Sequence, residues 1–600
     1  SSIEWQKCLG GTYHDIAKSI QQTTDGGFIV AGHTESTDGD VSGNHGGSDY
    51  WVVKLDSYGD MDWQKCLGGS SYDFANSIQQ TTDNGFIVAG YSVSNNGDVS
   101  VNHGFYDCWI VKLDSIGTIE WQKSLGGSDY DVTNSVQQTT DGGFIIAGAT
   151  NSFDGDVSGN HGSIDYWIVK LGSTGVVAWQ KCLGGSSFDE ASSIQQTSDG
   201  GFIVAGFTES NDGDVSGNNS VYSDYYEGYY SDYWVVKLDG SGNIQWQKCL
   251  GGSYDENALS IQQTIEGGYI VAGYTLSNDG DVSGNNSGYY DYYNPNYPDY
   301  WVVKLNDSGE IDWQKCLGGS IWDEAYSILQ TSDAGFIVAG AAYTGDLYTY
   351  PPNDGDISGG HGDDDYWIIK LSGSGNIQWK KCLGGGNYEI AYSIQQTADG
   401  GLIVAGEAVS DDGDISGNHG LEDYWIVKLY TCNDSVLFYA DADSDGYGNA
   451  GVSQVAIASS YPEGYTMDST DCNDTDPYTY PGSIEIPENY MDDDCDGEID
   501  EVFGVGIPSM SDGVPAFFVF PNPTGGSFML SLELGDEENS VAKIEVIGLL
   551  GQIVYAEKAM VEKGKLQKEI QLSPSTAGGM YLAKVTIGDR VHTIKINLRK

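Results

Sequence analysis

The sequence predicts an all-β protein: a seven-bladed β-propeller closed by the N-terminal strand, a small Asp-rich calcium-binding module, and a C-terminal Ig-like β-sandwich. Three observations carry this. Two Trp-centred motifs alternate seven times through residues 1–430. Residues 431–502 hold 18 carboxylates and no cation. From 515 to 600, short runs alternate apolar and polar, and ten basic groups balance nine acidic ones.

The first motif, WQKCLGG, has its Trp at 5, 63, 121, 179, 246, 313 and 379; the second, DYWVVKL, at 51, 109, 167, 234, 301, 367 and 425. Together they take 14 of the 15 Trp and leave Trp322. The spacing is 58, 58, 58, 67, 67 and 66, so the longer repeats carry loop insertions. Each repeat reads as four strands. SIQQT is followed by a tight turn such as Asp25-Gly26-Gly27, because Gly accepts positive φ. GFIVAG is apolar on both faces and should be buried on both. A DGDVSGNHG loop leads to DYWVVKL, and a DSYGD turn leads to IEWQKCLGG. Four strands in about 60 residues is the grain of a propeller blade.

The ends favour a ring over an open β-solenoid. The chain opens on a fourth-type strand, Ile3 to Leu9, and the last repeat stops on a third-type strand, Asp423 to Leu429. One completes the other and covers two sheet edges. The repeat resembles β-propeller repeats of secreted cargo proteins from Bacteroidetes-type bacteria. That resemblance implies a surface or extracellular setting and no defined activity.

The long loops share one face. The DGDVSGNHG loop supplies Asp40, Asp98, Asp156, Asp214, Asp281, Asp356 and Asp414; the inter-blade loop supplies Asp15, Asp73, Asp131, Asp189, Asp255, Asp323 and Glu389. Such carboxylates suit Ca²⁺, but Asp and Gly also simply build turns, which is the favoured role here. His45, His103, His161, His361 and His419 recur once per blade, with Asn219 and Asn286 in the other two, and are read as structural hydrogen-bonding groups. Three insertions stand out: 219–233 with Tyr222, Tyr225, Tyr226, Tyr229 and Tyr230; 286–300 with Tyr289, Tyr290, Tyr292, Tyr293 and Tyr297; and 341–355 with Tyr348 and Tyr350. Tyr combines a flat apolar face with a hydroxyl, so this patch is either a contact surface for glycan or protein or loops packing on one another. Each blade holds one Cys (Cys8, Cys66, Cys108, Cys182, Cys249, Cys316, Cys382), read as a small buried hydrophobe.

In the acidic middle, three clusters have ligand-like spacing. The first has Asp441, Asp443 and Asp445 before Gly446 and opens like an EF-hand loop, yet Val452 stands where the bidentate Glu belongs. The second has Asp471, Asn473, Asp474 and Asp476; the third has Asp492, Asp494, Asp496, Glu498 and Asp500. The stretch resembles the Asp-rich metal-binding repeat of bacterial surface proteins, through Pro462, Gly464, Tyr465, Asp471, Cys472, Pro481, Gly482, Glu485, Cys495 and Asp500. Two Cys positions of that family are missing, so the resemblance implies that Cys472 and Cys495 pair and leaves Cys432 without a mate. An all-oxygen ligand set points to Ca²⁺.

The final 86 residues read as a small antiparallel sandwich, after a linker at 503–514. FPNPTGG (Phe520 to Gly526), GLLGQIVY (Gly548 to Tyr555) and the terminal Lys600 resemble the type A sorting domain of the type IX secretion system. The resemblance implies export across the outer membrane of a Gram-negative bacterium. Such a signal is usually removed after export; its presence here raises the expectation of a retained, working domain.

The balance of 87 acidic against 26 basic residues, a net −61, argues against nucleic acid and anionic membrane as partners. No apolar run reaches about 18 residues, so no membrane-spanning helix is expected. The opening SSIEWQKC lacks a basic-then-apolar leader and fits a processed start. The expected function is a secreted, non-enzymatic binding or structural protein stabilised by Ca²⁺. Self-association into a filament through the C-terminal domain is an alternative. A polysaccharide-active enzyme is disfavoured, since near-identical repeats offer no asymmetric constellation.

Overall fold

The computed structural model describes residues 2–430 apart from 221, 224–227, 286–296 and 346–354. Of 431–515 it describes 435–440, 449–457, 465–466, 473 and 479; of the remainder, 516–520, 527–533, 540–548, 553–561, 563, 565–573, 576, 579–587 and 590–598. The regular structure of the described residues is all β, with no helix.

Within 1–430 the strands form four-stranded antiparallel sheets, propeller-like blades. The first contains Asp15–Gln22, Phe28–Thr34, Asp49–Leu55 and Met61–Leu67, in that order. Five more follow the same plan, their inner strands beginning at Asp73, Asp131, Asp189, Glu256 and Asp323. The last contains Glu389–Gln396, Leu402–Ala408 and Asp423–Tyr430, and its fourth strand is Ser2–Leu9. There Cys8 pairs with Trp425, as Cys66 pairs with Trp51 in the first blade. The expected strand closure is thus present.

The burial pattern explains the repeat. DYWVVKL is buried along its whole length because blades pack on both of its faces. The outer strand keeps one side in water, which accounts for its charged positions. Each apolar cluster mixes two neighbouring blades; Ile403, Ala405, Tyr424 and Ile426 of the last blade share a cluster with Phe28, Val30, Trp51 and Val53 of the first. The Tyr of DYW donates to the carbonyl of the next blade's Trp, as in Tyr50 Oη to Trp109 O at 2.8 Å. Tyr424 Oη to Trp51 O, also 2.8 Å, brings the series back to its start. Only Cys108, which replaces the Tyr, leaves a gap in it.

SIQQT seals the inner edges. Ser19 Oγ accepts from Ile78 N of the next blade at 3.2 Å, and equivalent bonds link every adjacent pair of blades, including Ile20 N to Ser393 Oγ. The first Gln accepts from the next blade's second Gln N–H, as Gln21 does from Gln80 N at 2.6 Å. Leu329 has no acceptor and breaks that series once. These bonds satisfy strand-edge groups that would otherwise be exposed at the axis. The Gly of GFIVAG is required sterically: a Cβ on Gly32 would lie 1.9 Å from Ile16 O.

Between the two larger regions, Ser435–Ala440 lies between Asn449–Ile457 and Tyr465–Thr466 in a three-stranded sheet. At the C-terminus, Ala516–Phe520, Ser527–Glu533 and Lys565–Gln571 form one sheet, and Ile553–Val561, Ser540–Gly548, Gly579–Ile587 and Arg590–Leu598 form another. Both contribute to one core, with Phe528, Leu530 and Ile570 from the first and Ile544, Val546 and Val585 from the second. By internal contact the chain divides into Ser1–Phe438 with Gln454–Glu463, and Tyr439–Ser453 with Gly464–Lys600.

Candidate functional site

Of the proposed metal ligands, Asn473 alone is among the described residues; Asp441, Asp443, Asp445, Asp471, Asp474, Asp476, Asp492, Asp494, Asp496, Glu498 and Asp500 lie outside them. Of the Tyr patch, Tyr230 is buried and meets Tyr254 edge-on at 5.3 Å, while Tyr297 meets Trp322 at 6.2 Å. The backbones of Tyr222 and Tyr229 pair with each other. Tyr225, Tyr226, Tyr289, Tyr290, Tyr292, Tyr293, Tyr348 and Tyr350 lie outside the described residues.

The repeated loop carboxylates are engaged at the blade junctions. Asp15 Oδ2 accepts from Gly11 N at 2.7 Å and from Ser36 Oγ at 2.8 Å. Asp38 Oδ1 accepts from Thr12 N at 2.9 Å. In the fifth repeat the residue equivalent to Asp15 is Glu256, which accepts from Gly252 N at 2.7 Å. This corrects the expectation for Asp255, which instead accepts from Ser231 N and Oγ. The recurrent His bonds the Asp that opens its own third strand, as in His45 Nδ1 to Asp49 Oδ2 at 2.6 Å. His103, His161 and His419 repeat the contact; His361 bonds Asp365 through its backbone N–H. Among the described residues no group of three or more His, Cys, Asp or Glu is placed to hold a metal ion. Burial pushes the Asp49 carboxyl up to about 6 and that of Glu256 to about 8.

The seven blade cysteines are free and buried. Burial pushes the thiols of Cys8, Cys66, Cys182 and Cys382 up to about 12.

A second group of residues escaped the sequence reading. Every inner strand has a bulge, in the first blade between Ala17 and Ser19. The bulged position reads Lys18, Asn76, Asn134, Ser192, Leu259, Tyr326 and Tyr392 around the ring, unlike its near-constant neighbours. A bulge re-aims its side chain, and here equivalent side chains of adjacent blades touch. Lys18 Nζ stands 3.3 Å over the Tyr392 ring; Tyr326 and Tyr392 meet at 5.0 Å; Asn76 Nδ2 donates to Asn134 Oδ1 at 3.3 Å. That proximity places them at the axis, where inner strands converge. Flanking positions vary as well: Glu190 accepts from Asn134 Nδ2 at 3.0 Å, Glu324 from Tyr326 Oη at 2.6 Å, and Glu407 from Tyr392 Oη at 3.1 Å. Beyond them along the same strands, Ile and Gln rings line a cavity of about 280 Å³. Desolvation pulls Lys18 down to about 8, with Glu407 opposing, and raises Glu407, Glu324 and Glu190. The visible signal was divergence inside an otherwise constant D-x-A-x-S-I-Q-Q stretch.

Residues 518–599 match the family described as "Secretion system C-terminal sorting domain", and residues 471–501 one described as "Putative metal-binding motif". The chain therefore carries a type IX sorting domain and is an extracellular or cell-surface protein of Bacteroidetes type. No curated protein matches it. Among solved structures it is similar to PorZ, a surface component of the type IX secretion system of Porphyromonas gingivalis, at 10% identity and TM-score 0.26, over 97% of this chain and 81% of that one. It is also similar to a Synechocystis apocarotenoid oxygenase mutant, at 10% identity and TM-score 0.31, over 62% and 72%. Neither likeness is close enough to carry an argument about fold or activity.

Proposed function

We propose that the chain is a secreted, non-enzymatic binding and structural protein: a seven-bladed β-propeller that presents a ligand surface, a calcium-stabilised Asp-rich module, and an Ig-like sandwich that serves as the export signal. One observation carries this reading. Repeat positions that pack or seal are nearly constant, whereas the axial mouth and the loop insertions vary. Constancy there is what a rigid scaffold requires, and variety where packing does not fix the residue is what recognition requires. For the module, the family match and an all-oxygen donor set favour Ca²⁺, held by the Asp and Asn side chains of the three clusters. The test is calorimetry of the full chain with and without chelator, alongside a binding screen that also assays release of reducing ends. Ca²⁺-dependent melting and binding without release are expected. Released sugar ends would overturn the non-enzymatic reading. Selective affinity for a soft transition metal would overturn calcium. Regular polymers in electron micrographs would favour a self-assembling subunit.

A further inference from the structure

The blades hold one kind of chemistry twice, once with a cation in place and once without. Between the last and first blades, Lys18 Nζ stands 3.3 Å over the Tyr392 ring and Tyr392 Oη donates to Glu407 Oε1 at 3.1 Å. The Lys18 and Glu407 charges stabilise each other. An ammonium, a tyrosine face and a carboxylate complete one another there.

The second to fourth blades carry the aromatic and acidic parts alone. Phe74 meets Tyr91 at 5.2 Å, Tyr91 meets Tyr106 at 5.4 Å, and Tyr106 meets Tyr130 at 5.5 Å; Phe105 packs edge-on against Tyr106 at 4.6 Å. The repeat does not dictate this row, since Ile16, His33, Gly47 and Ser48 hold the positions of Phe74, Tyr91, Phe105 and Tyr106 in the first blade. Glu190 borders it. Asn134, four residues beyond Tyr130, donates to Glu190 Oε1 at 3.0 Å. Burial and then the Glu190 charge raise the Tyr130 hydroxyl; burial, Tyr106 and then Glu190 raise that of Tyr91. Glu190 and the three tyrosines are partly exposed, and among the described residues Glu190 Oε2 is neither hydrogen-bonded nor sealed from solvent. No cation stands against it: burial raises the Glu190 carboxyl and only Asn134 opposes.

What completes this row is positively charged. Aromatic faces are electron-rich, and a carboxylate with a free oxygen takes a charge-assisted hydrogen bond. An anion would meet Glu190 and a chain of net −61. A purely apolar group would cover Glu190 and leave its charge unpaired. We propose that Glu190, with Tyr91, Tyr106 and Tyr130, binds a Lys or Arg side chain presented by a basic partner protein, as Tyr392 and Glu407 hold Lys18. The net charge draws such a partner in from a distance. Phe105 and Tyr72, 61% and 52% exposed, offer apolar surface to the atoms around that side chain. The inference rests on the reading of the chain as a binding protein and names the chemistry of its partner.

The test titrates the full chain with capped Gly-Xaa-Gly peptides, Xaa being Arg, Lys, norleucine or Glu, by ligand-observed NMR. The Arg and Lys peptides are expected to bind, and the norleucine and Glu peptides are not. Glu190→Gln should weaken binding about tenfold, the scale of one charge-assisted hydrogen bond. Tyr130→Leu should weaken it about threefold, the scale of an exposed cation–π contact. Asp307→Asn, at an exposed turn, removes the same charge and should bind like the parent. Melting curves exclude any unfolded variant, and Glu190→Gln keeps the shape and the acceptor for Asn134, so it reports even where Tyr130→Leu does not fold. Equal losses in Glu190→Gln and Asp307→Asn mean attraction to net charge alone and overturn the site. Unchanged binding in Glu190→Gln, or a norleucine peptide that binds like the Lys peptide, overturns it as well. A folded parent that takes neither cationic peptide also overturns the site; a separate screen of glycans and proteins then decides the binding-protein reading.

Discussion

Lys380→Gln should make this protein more stable. In six blades the third-strand Trp donates its indole N–H to the Gln of WQK, as Trp109 Nε1 does to Gln122 Oε1 at 2.7 Å and Trp51 Nε1 to Gln64 Oε1 at 2.9 Å. In the remaining blade Lys380 stands at the Gln position and cannot accept. Trp367 is fully buried, and its Nε1 has no partner among the described residues. Lys380 Nζ does donate to Asp356 O, but Gln122 Nε2 makes the corresponding bond to Asp98 O while accepting from Trp109. A Gln at 380 can fill both roles. An unsatisfied buried donor costs about 1–3 kcal/mol and a completed bond contributes about 1, so a gain of about 1–2 kcal/mol is expected. For a cooperative unit of this size that raises Tm by about 1–2 °C, with a clearer shift in the urea midpoint at unchanged slope. Lys380→Met keeps the bulk without the acceptor and should not gain. If Gln is no more stable than Met, the indole bond does not contribute and the argument fails.

Four further outcomes follow from the same geometry. Tyr50→Phe removes a buried bond between blades and should cost about 1–2 kcal/mol in urea unfolding, whereas Tyr58→Phe, at an exposed turn, should cost nothing measurable. The fold should be more stable at pH 5 than at pH 7.5: burial raises Asp49, Asp189, Asp365 and Asp423 to about 6 and Asp232 to about 7, above their unfolded values. The native state then holds extra protons between about pH 4 and 7, so stability falls as pH rises through that window; a urea midpoint that rises instead would contradict the burial argument. The blade thiols should resist a thiol reagent in native protein and react on unfolding, read by mass spectrometry of labelled peptides. Leu329→Gln should supply the acceptor missing from the inner series for Gln396 N; part of that gain is lost because Leu329 packs against the neighbouring apolar cluster, leaving a change within about 1 kcal/mol by urea unfolding.

Much of the architecture was legible in one sequence because it is written seven times. The recurring pair of Trp motifs pointed to four-stranded, propeller-like sheets, and the unmatched first and last strands to their pairing with each other. The turns followed from Asp and Gly, and the buried strands from runs apolar on both faces. Site chemistry was less legible. The inter-blade loop of the fifth repeat offers two adjacent carboxylates, and Glu256 rather than Asp255 takes the place of Asp15: it accepts from Gly252 N and opens the E-N-A-L-S-I-Q-Q copy of the inner strand. SIQQT read as a strand, but its Ser and Gln side chains act between blades, over separations such as 59 residues between Ser19 and Ile78.

By itself, then, the sequence determined the repeat, the strand order, the acidic middle and the export signal, all of which depend on local pattern or motif. Only the tertiary structure decided which of the many polar residues act together. Lys18, Tyr326 and Tyr392 are far apart along the chain and carry no shared motif, yet Lys18 Nζ lies 3.3 Å over the Tyr392 ring and Tyr326 meets Tyr392 at 5.0 Å. They meet because the inner strands that carry them pack side by side and each side chain projects from the bulge of its strand. Distance in sequence says nothing about that convergence; the closure of the ring produces it.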